Sequence, residues 1–290
     1  MQKNVKRLPV EYFCQDLENL TEDAKLAITQ QYCRFLRTTC NKPRKSEPHI
    51  KVGICSLGST VARSETTYPV IICPQRLKEE IMFKTIETQY LSSWKNIHWV
   101  QEVDMGVGGN VDYVAFELDG SGRITDFLCV ELQAAGTTGS PYPYALAMVN
   151  GEDTDDLRNS NGDRVSFGIN WANEFTKTMM QQAYKKGKIV EDWNRKIIFV
   201  VQDVAMKYLS KTSDCSLLED FNAKLPVDFC TFKLEWSEKE GWHLVFDRIY
   251  STSIEGINRI ISGAEANNYP SPEEFKETAY KKAISDGIIE

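Results

Sequence analysis

Two apolar runs, VDYVAFEL at 111–118 and RITDFLCVELQ at 123–133, are joined by the turn residues DGSG and carry acids where a strand would take a hydrophobe. Strand side chains alternate between faces, so Asp112 shares a face with Val114, Phe116 and Leu118, and Glu131 shares one with Phe127, Cys129 and Gln133. A two-residue turn at Ser121-Gly122 pairs Gly120 with Arg123, and the same register sets Asp112 opposite Glu131. Directly opposed residues have Cβ atoms ~5 Å apart on one face. Two carboxylates at that distance repel unless a cation offsets their charge. Mg²⁺ suits the task, because it takes oxygen ligands from one or two carboxylates and leaves room for water and substrate phosphate oxygens. The Gln133 amide, on the same face, can orient a water or contact a phosphate but cannot accept a proton near neutral pH. The same spacing also fits a plain acid pair at a hairpin rim, and Glu117 and Asp126 make the opposite face partly polar.

The elements that must hold this hairpin are legible from periodicity. DLENLTEDAKLAITQQYCRFL reads as a helix, and residues 39–68 read as a polar loop with little periodic structure. CPQRLKEEIMFKTIETQYLSSW reads as a long amphipathic helix after Pro74. Residues 136–163 form a loop long enough to suspect function. FGINWANEFTKTMMQQAYKKG reads as a helix closed by Gly187. RKIIFVVQD suits a buried central strand, VDFCTFKLEW and WHLVFDRIYS suit two more, and SPEEFKETAYKKAISDG suits a last helix capped by Ser271 with Pro272 at its first position. Helix, strands, helix, strands, helix gives an α/β fold with a mixed sheet flanked by helices.

Composition narrows the class. The 290 residues, 42% hydrophobic and 11% aromatic, build a globular core. A net charge of −7 gives no global attraction to nucleic acid, so any polyanion site must be a local basic cleft. The N-terminus MQKNVKRLPVEYF lacks the apolar run of a secretory signal, and no stretch reaches the ~20 apolar residues of a membrane span. The expected location is the cytoplasm, where disulfides are rare. The eight cysteines then call for metal ligation or burial. Cys129, Cys215 and Cys230 sit in or near apolar runs and read as buried thiols. The three histidines, His49, His98 and His243, lack metal-like neighbourhoods, and Trp171 and Trp193 read as helix-packing residues.

An acid, a hairpin, then Glu-x-Gln resembles the PD-(D/E)XK nucleases, and specifically the NotI-type restriction endonucleases, in which Gln stands where most of the superfamily carries Lys. QAAGTTGS after the hairpin is similar to that family's QA-x-x-TTG segment. GINWANEFTKTMMQQAYKKGKIVEDW leading to IIFVVQD is similar to its helix and following strand. The resemblance spans roughly residues 30–210. It implies Mg²⁺-dependent, site-specific hydrolysis of double-stranded DNA with 5′-phosphate products, Asp112 and Glu131 holding the ion and Gln133 beside them. It also implies a third acid from the preceding helix, for which Glu87 is the candidate, against the plainer reading of a solvent-facing glutamate.

The resemblance further implies a structural Cys₄ site of Fe or Zn formed by Cys33, Cys40, Cys55 and Cys73, with Cys14 a possible substitute. That gives a metal module over 1–78 and a nuclease core over 79–290. Asn41-Lys42-Pro43-Arg44-Lys45 is a candidate phosphate-contacting patch or a solvated loop, and Lys185, Lys186 and Lys188 are candidates for a DNA cleft or a helix-dipole complement. Gln202 and Asp203 end a strand, where sites collect or hydrogen bonds are satisfied. A homodimer is expected, since a two-fold protein matches a palindromic site. Two rivals stand beside this reading: a less specific repair or defence nuclease of the same superfamily, and a metal-stabilised DNA-binding protein without catalysis.

Overall fold

The structure, a computed structural model, describes residues 5–44, 47–62, 64–159, 161–263 and 271–289. The chain begins with a small antiparallel sheet of β1 (Pro9–Tyr12), β2 (Ile54–Thr60) and β3 (Thr67–Ile71), with Gln15–Asp16 on its outer edge. The expected polar loop over 39–68 is thus replaced in part by two strands. Their polar residues hide the signal because they are paired inside: Ser56, fully buried, donates its hydroxyl to Glu11 at 2.7 Å. The first helix is also shorter than its sequence suggests. Thr21 accepts from the Ala24 N–H and starts α1 (Glu22–Thr29), and the chain then turns into the two-residue strand Tyr32–Cys33.

The segment after Cys73 is two pieces rather than one helix. A 3₁₀ turn at Pro74–Leu77 precedes α2 (Glu80–Tyr90), with Glu79 extended between them. The break serves a buried ion network. Arg76, which has no exposed surface, pairs with Glu11 at 3.0 Å and with Glu79, and Glu79 also accepts from the Leu244 N–H at 2.9 Å.

The main sheet contains β4 (Ile97–Asp104), β5 (Asn110–Leu118), β6 (Ile124–Gln133), β7 (Ile197–Gln202), β8 (Val227–Ser237) and β9 (Gly241–Thr252). Its order is β9-β8-β7-β6-β5-β4, with the short strand Glu219–Asp220 outside β9. β7 runs parallel to both β6 and β8, and the other pairs are antiparallel. All six residues of β7 are buried, which is why IIFVVQ reads as an unbroken apolar run. Ile197, Phe199 and Val201 pack among residues of α4 (Met180–Asp192) and α6 (Ile254–Ser262), whereas Ile198 and Val200 pack with Met82 and Ile86 of α2.

The helix expected to start at Phe167 starts later. Phe167–Ile169 pairs with Thr137–Gly139, and the helix runs from a π-helical stretch, Ala172–Met179, into α4. The long loop after the hairpin is interrupted by α3 (Tyr142–Asn150), and α5 (Asp203–Thr212) follows β7 directly. The last helix, α7 (Pro272–Ser285), has the expected Ser271 cap, completed by Glu274 as a capping box.

Gly187 does not end its helix. It is buried within α4, where an added Cβ would lie 2.6 Å from Val227 Cγ2 and 3.0 Å from Ile254 Cδ1. Close approach of α4 to the sheet, not a left-handed turn, explains the glycine. Overpacking of this kind costs roughly 1–3 kcal/mol. Gly187→Ala is expected to lower the urea midpoint with an unchanged m-value; an unaltered midpoint would show that the contact relaxes freely.

Candidate active site

β5 and β6 pair with Tyr113 opposite Val130 and Val114 opposite Cys129, which carries Asp112 to the level of Glu131. The turn differs from expectation. The Gly122 N–H donates to the Asp119 carbonyl, placing Gly120 and Ser121 at the centre, and Gly122 takes φ +79°. Asp119 stabilises the loop by accepting from the Ser121 and Arg123 N–H groups. The loop shifts the pairing by one, to Leu118–Ile124, and a bulge beside Thr125 shifts it back at Glu117–Asp126. Two irregularities cancel, so the acids meet in the register that a tight turn would have given.

Asp112 reaches across to β6, where its Oδ2 accepts from the Leu132 N–H at 2.7 Å. Glu131 points to the α4 side of the sheet, is 6% exposed, and forms an ion pair with Lys186. Lys186 also donates to the Asn110 carbonyl at 2.6 Å, at the start of the strand that carries Asp112. Burial pushes the Glu131 carboxyl up to about 7; the Lys186 hydrogen bond opposes this and the Asp112 charge adds to it. Gln133, two residues along, is half-buried and donates its amide to the Ala134 carbonyl at 3.0 Å. The pair is therefore a like-charge site in which Glu131 is buried, Asp112 is half-buried and one protein cation already stands at Glu131.

Two readings of the lysines and acids change here. Lys186 lies inside the protein rather than along an open cleft, whereas Lys185 is exposed and Lys188 pairs with Glu191 at 2.9 Å and Asp192 at 3.2 Å. Lys186 falls on the inward stripe of Met180, Ala183, Gly187 and Val190, and a lysine at core spacing was the available signal. Glu87 does not join the pair. It lies on α2, against the opposite face of the sheet, and accepts from Trp99 Nε1 at 2.9 Å. An acid that does approach the end of β6 is Glu174 of the π-helical stretch, whose Oε1 would lie 2.3 Å from a Cβ added at Gly136.

The strand-end residues serve hydrogen bonding. Gln202 accepts from the Ile71 N–H at 2.8 Å and donates to the Pro69 carbonyl at 2.6 Å, tying β3 to β7, and Asp203 pairs with Lys207 at 2.6 Å. Arg44 stacks on Tyr142 with its guanidinium carbon 4.0 Å from the ring centroid, Lys42 is exposed, and Lys45 lies outside the described residues. Trp171 stacks on Tyr208, and Trp193 meets Phe127 edge-on. His98 stacks on Phe116, and His243 contacts the Gly241 carbonyl. Cys129 and Cys230 are buried as expected, and Cys215 is half-buried.

Cys33, Cys40, Cys55 and Cys73 line one small cavity, and Cys14 lines it too. Cys14 Sγ lies 3.8 Å from Cys55 Sγ and 4.0 Å from Cys33 Sγ. Contact with Cys14 and burial push the Cys33 thiol above its usual range, and burial does the same for Cys73. The sulfurs approach in pairs, but no group of three or more His, Cys, Asp or Glu among the described residues closes into a metal cage. No described helix is long and apolar enough to cross a membrane.

Comparison with known proteins gives a match over residues 23–225 to the family described as restriction endonuclease NotI. No curated protein matches the chain.

Proposed function

Because the chain belongs to the NotI restriction endonuclease family, a family of type II site-specific deoxyribonucleases, we propose that it cuts double-stranded DNA at Asp112, Glu131 and Gln133 in a Mg²⁺-dependent reaction that leaves 5′-phosphate ends. One observation carries the assignment: two acids from neighbouring strands share one face, and the buried one already has a cation beside it. The donor set is all oxygen, as a hard divalent ion requires. When bound, that ion would polarise the scissile phosphate and activate the attacking water. Asp112 and Glu131 would hold it, and the Gln133 amide would orient the water by hydrogen bonding without taking its proton. The water oxygen adds to phosphorus as the bond to the 3′-oxygen breaks. The water's proton passes to solvent, the 3′-oxygen is protonated from solvent, and the phosphate stays on the 5′ end of the downstream fragment.

With a net charge of −7, the DNA path must be local. Arg7 and Arg164 line one open groove together with Ser59, Thr60 and Ser166, a surface suited to backbone phosphates. A symmetric homodimer would match a palindromic target.

Five thiols around one cavity are the donor type that a structural Zn or Fe ion takes, and this supports a metal there. Tetrahedral thiolates at ~2.3 Å from Zn²⁺ stand ~3.8 Å apart, close to the two separations measured at Cys14. Four of the five thiols would hold Zn or Fe, with Cys14 joining a set otherwise drawn from Cys33, Cys40, Cys55 and Cys73. Residues 1–78 would then form a metal-stapled module on the nuclease core of 79–290, joined to it through Gln202.

The direct test is digestion of long DNA with and without Mg²⁺, followed by sequencing of the fragment ends. The expected result is one recurring sequence at all ends, 5′-phosphorylated, and no cutting in chelator. Ends without a common sequence would make the protein a less specific nuclease of the same superfamily.

A further inference from the structure

Lys186 is a cation that the strand motif does not contain. It sits midway along α4, on the stripe that packs against the sheet, and its side chain is 5% exposed. Its amine bridges the Glu131 carboxylate and the Asn110 carbonyl. Asn110 stands two residues before Asp112 on β5, so one amine touches both strands that supply the acids. The stem is held as well. Gly108, in the loop that enters β5, packs so closely on α4 that an added Cβ would lie 2.9 Å from Ile189 Cδ1 and 3.7 Å from Lys186 Cγ. Gln133, on the strand, carries no charge, and its amide donates to Ala134 rather than to either acid.

Burying Lys186 in this way is unfavourable unless the charge is paired, and the charge is paired only because Glu131 faces it. A lysine placed there for packing alone would be better replaced by Met or Leu. We propose that Lys186 is a positioning residue for DNA cleavage, supplying from α4 the positive charge that the strand lacks at Gln133, and holding the Glu131 carboxylate beside Asp112 between turnovers. This rests on the reading of Asp112 and Glu131 as the grip for a divalent ion. The amine and that ion compete for one carboxylate. Lys186 therefore weakens ion binding while keeping the acids in their working geometry. During reaction it neutralises charge at the edge of the site and exchanges no proton.

The experiment compares Lys186→Met, Lys186→Arg, Gln133→Lys/Lys186→Met and Asp112→Asn in three measurements. These are thermal melting, Mn²⁺ affinity by calorimetry, and single-turnover cleavage of a DNA fragment with Mg²⁺. Loss of one preorganised hydrogen-bond donor typically slows a reaction by about 10²–10³-fold. Lys186→Met is expected to cleave slower by about that factor while binding Mn²⁺ about tenfold more tightly, since its competitor is gone. The double variant is expected to recover at least about tenfold in rate by restoring the charge from the strand, and Lys186→Arg is expected to lie between. A purely structural lysine would change melting without raising Mn²⁺ affinity and without rescue from position 133, and that outcome overturns the proposal. So does wild-type cleavage by folded Lys186→Met. Because buried Glu131 loses its partner, Lys186→Met could fail to fold; Lys186→Arg, which keeps the charge, then carries the test. With Arg, which keeps the charge on a donor-rich fork, cleavage within about tenfold of wild type is expected; a folded Lys186→Arg slowed as far as Asp112→Asn overturns the proposal, because the charge would then be present without effect. Cleavage by Asp112→Asn would instead remove the underlying reading, so the two failures are separable.

Discussion

Asp112→Asn protein is expected to bind its DNA target yet cut it at least about a thousandfold more slowly than wild type. The substitution is chosen for what it keeps. Asp112 accepts from the Leu132 N–H at 2.7 Å, and an asparagine oxygen can accept the same bond, so the tie between β5 and β6 survives. Only the negative charge is lost, and with it a hard-cation ligand. Such an ion supplies several kcal/mol of transition-state stabilisation, and each 1.36 kcal/mol is tenfold in rate. Glu131→Gln should be equally inactive but less stable, because it leaves Lys186 buried opposite a neutral amide, and removing one partner of a buried ion pair costs about 3–5 kcal/mol. Single-turnover cleavage, gel-shift binding without Mg²⁺ and thermal melting separate these effects. If both variants cut as fast as wild type, the acid pair is not the cleavage site and the protein cuts DNA elsewhere.

The second large effect is expected at the cysteine cavity. Protein prepared without chelator is expected to carry about one Zn or Fe ion per chain, and stripping it should unfold the N-terminal sheet. Structural Zn²⁺ sites of this kind contribute on the order of 10 kcal/mol of apparent folding free energy at neutral pH. Five thiols around one cavity make the choice of ligands testable. Cys14 is within 4.0 Å of both Cys33 and Cys55, so Cys14→Ser should lower metal content and melting temperature as severely as Cys33→Ser. Metal analysis by plasma mass spectrometry and melting with and without chelator provide the check. A metal-free preparation with a chelator-insensitive melt would mean that the cysteines are simply packed thiols. Side chains also tie residues 1–78 to the rest of the chain: Arg76 pairs with Glu79, and Arg34 donates to the Trp242 carbonyl at 2.9 Å.

Within residues 111–133 strand alternation, with its period of two, made legible which residues share a face with Asp112 on one strand and with Glu131 on the other. That the two acids oppose each other depends on the hairpin register, which matches the one a tight turn would give only because the shift at the turn and the extra residue at Thr125 cancel. The same locality made IIFVVQ a recognisable buried strand and Ser271 a recognisable cap. Contacts between segments far apart in the chain decided the rest. Lys186 meets Glu131 across 55 positions, and Cys14 meets Cys55 across 41. Glu87 and Glu131 look alike in sequence, but α2 lies on one face of the sheet and α4 on the other. Which helix covers which face depends on burying apolar area across the whole sheet, a sum that no local pattern encodes. For the same reason β2 looked like a loop: Ser56 is tolerable inside only because Glu11, far away in the chain, satisfies its hydroxyl there.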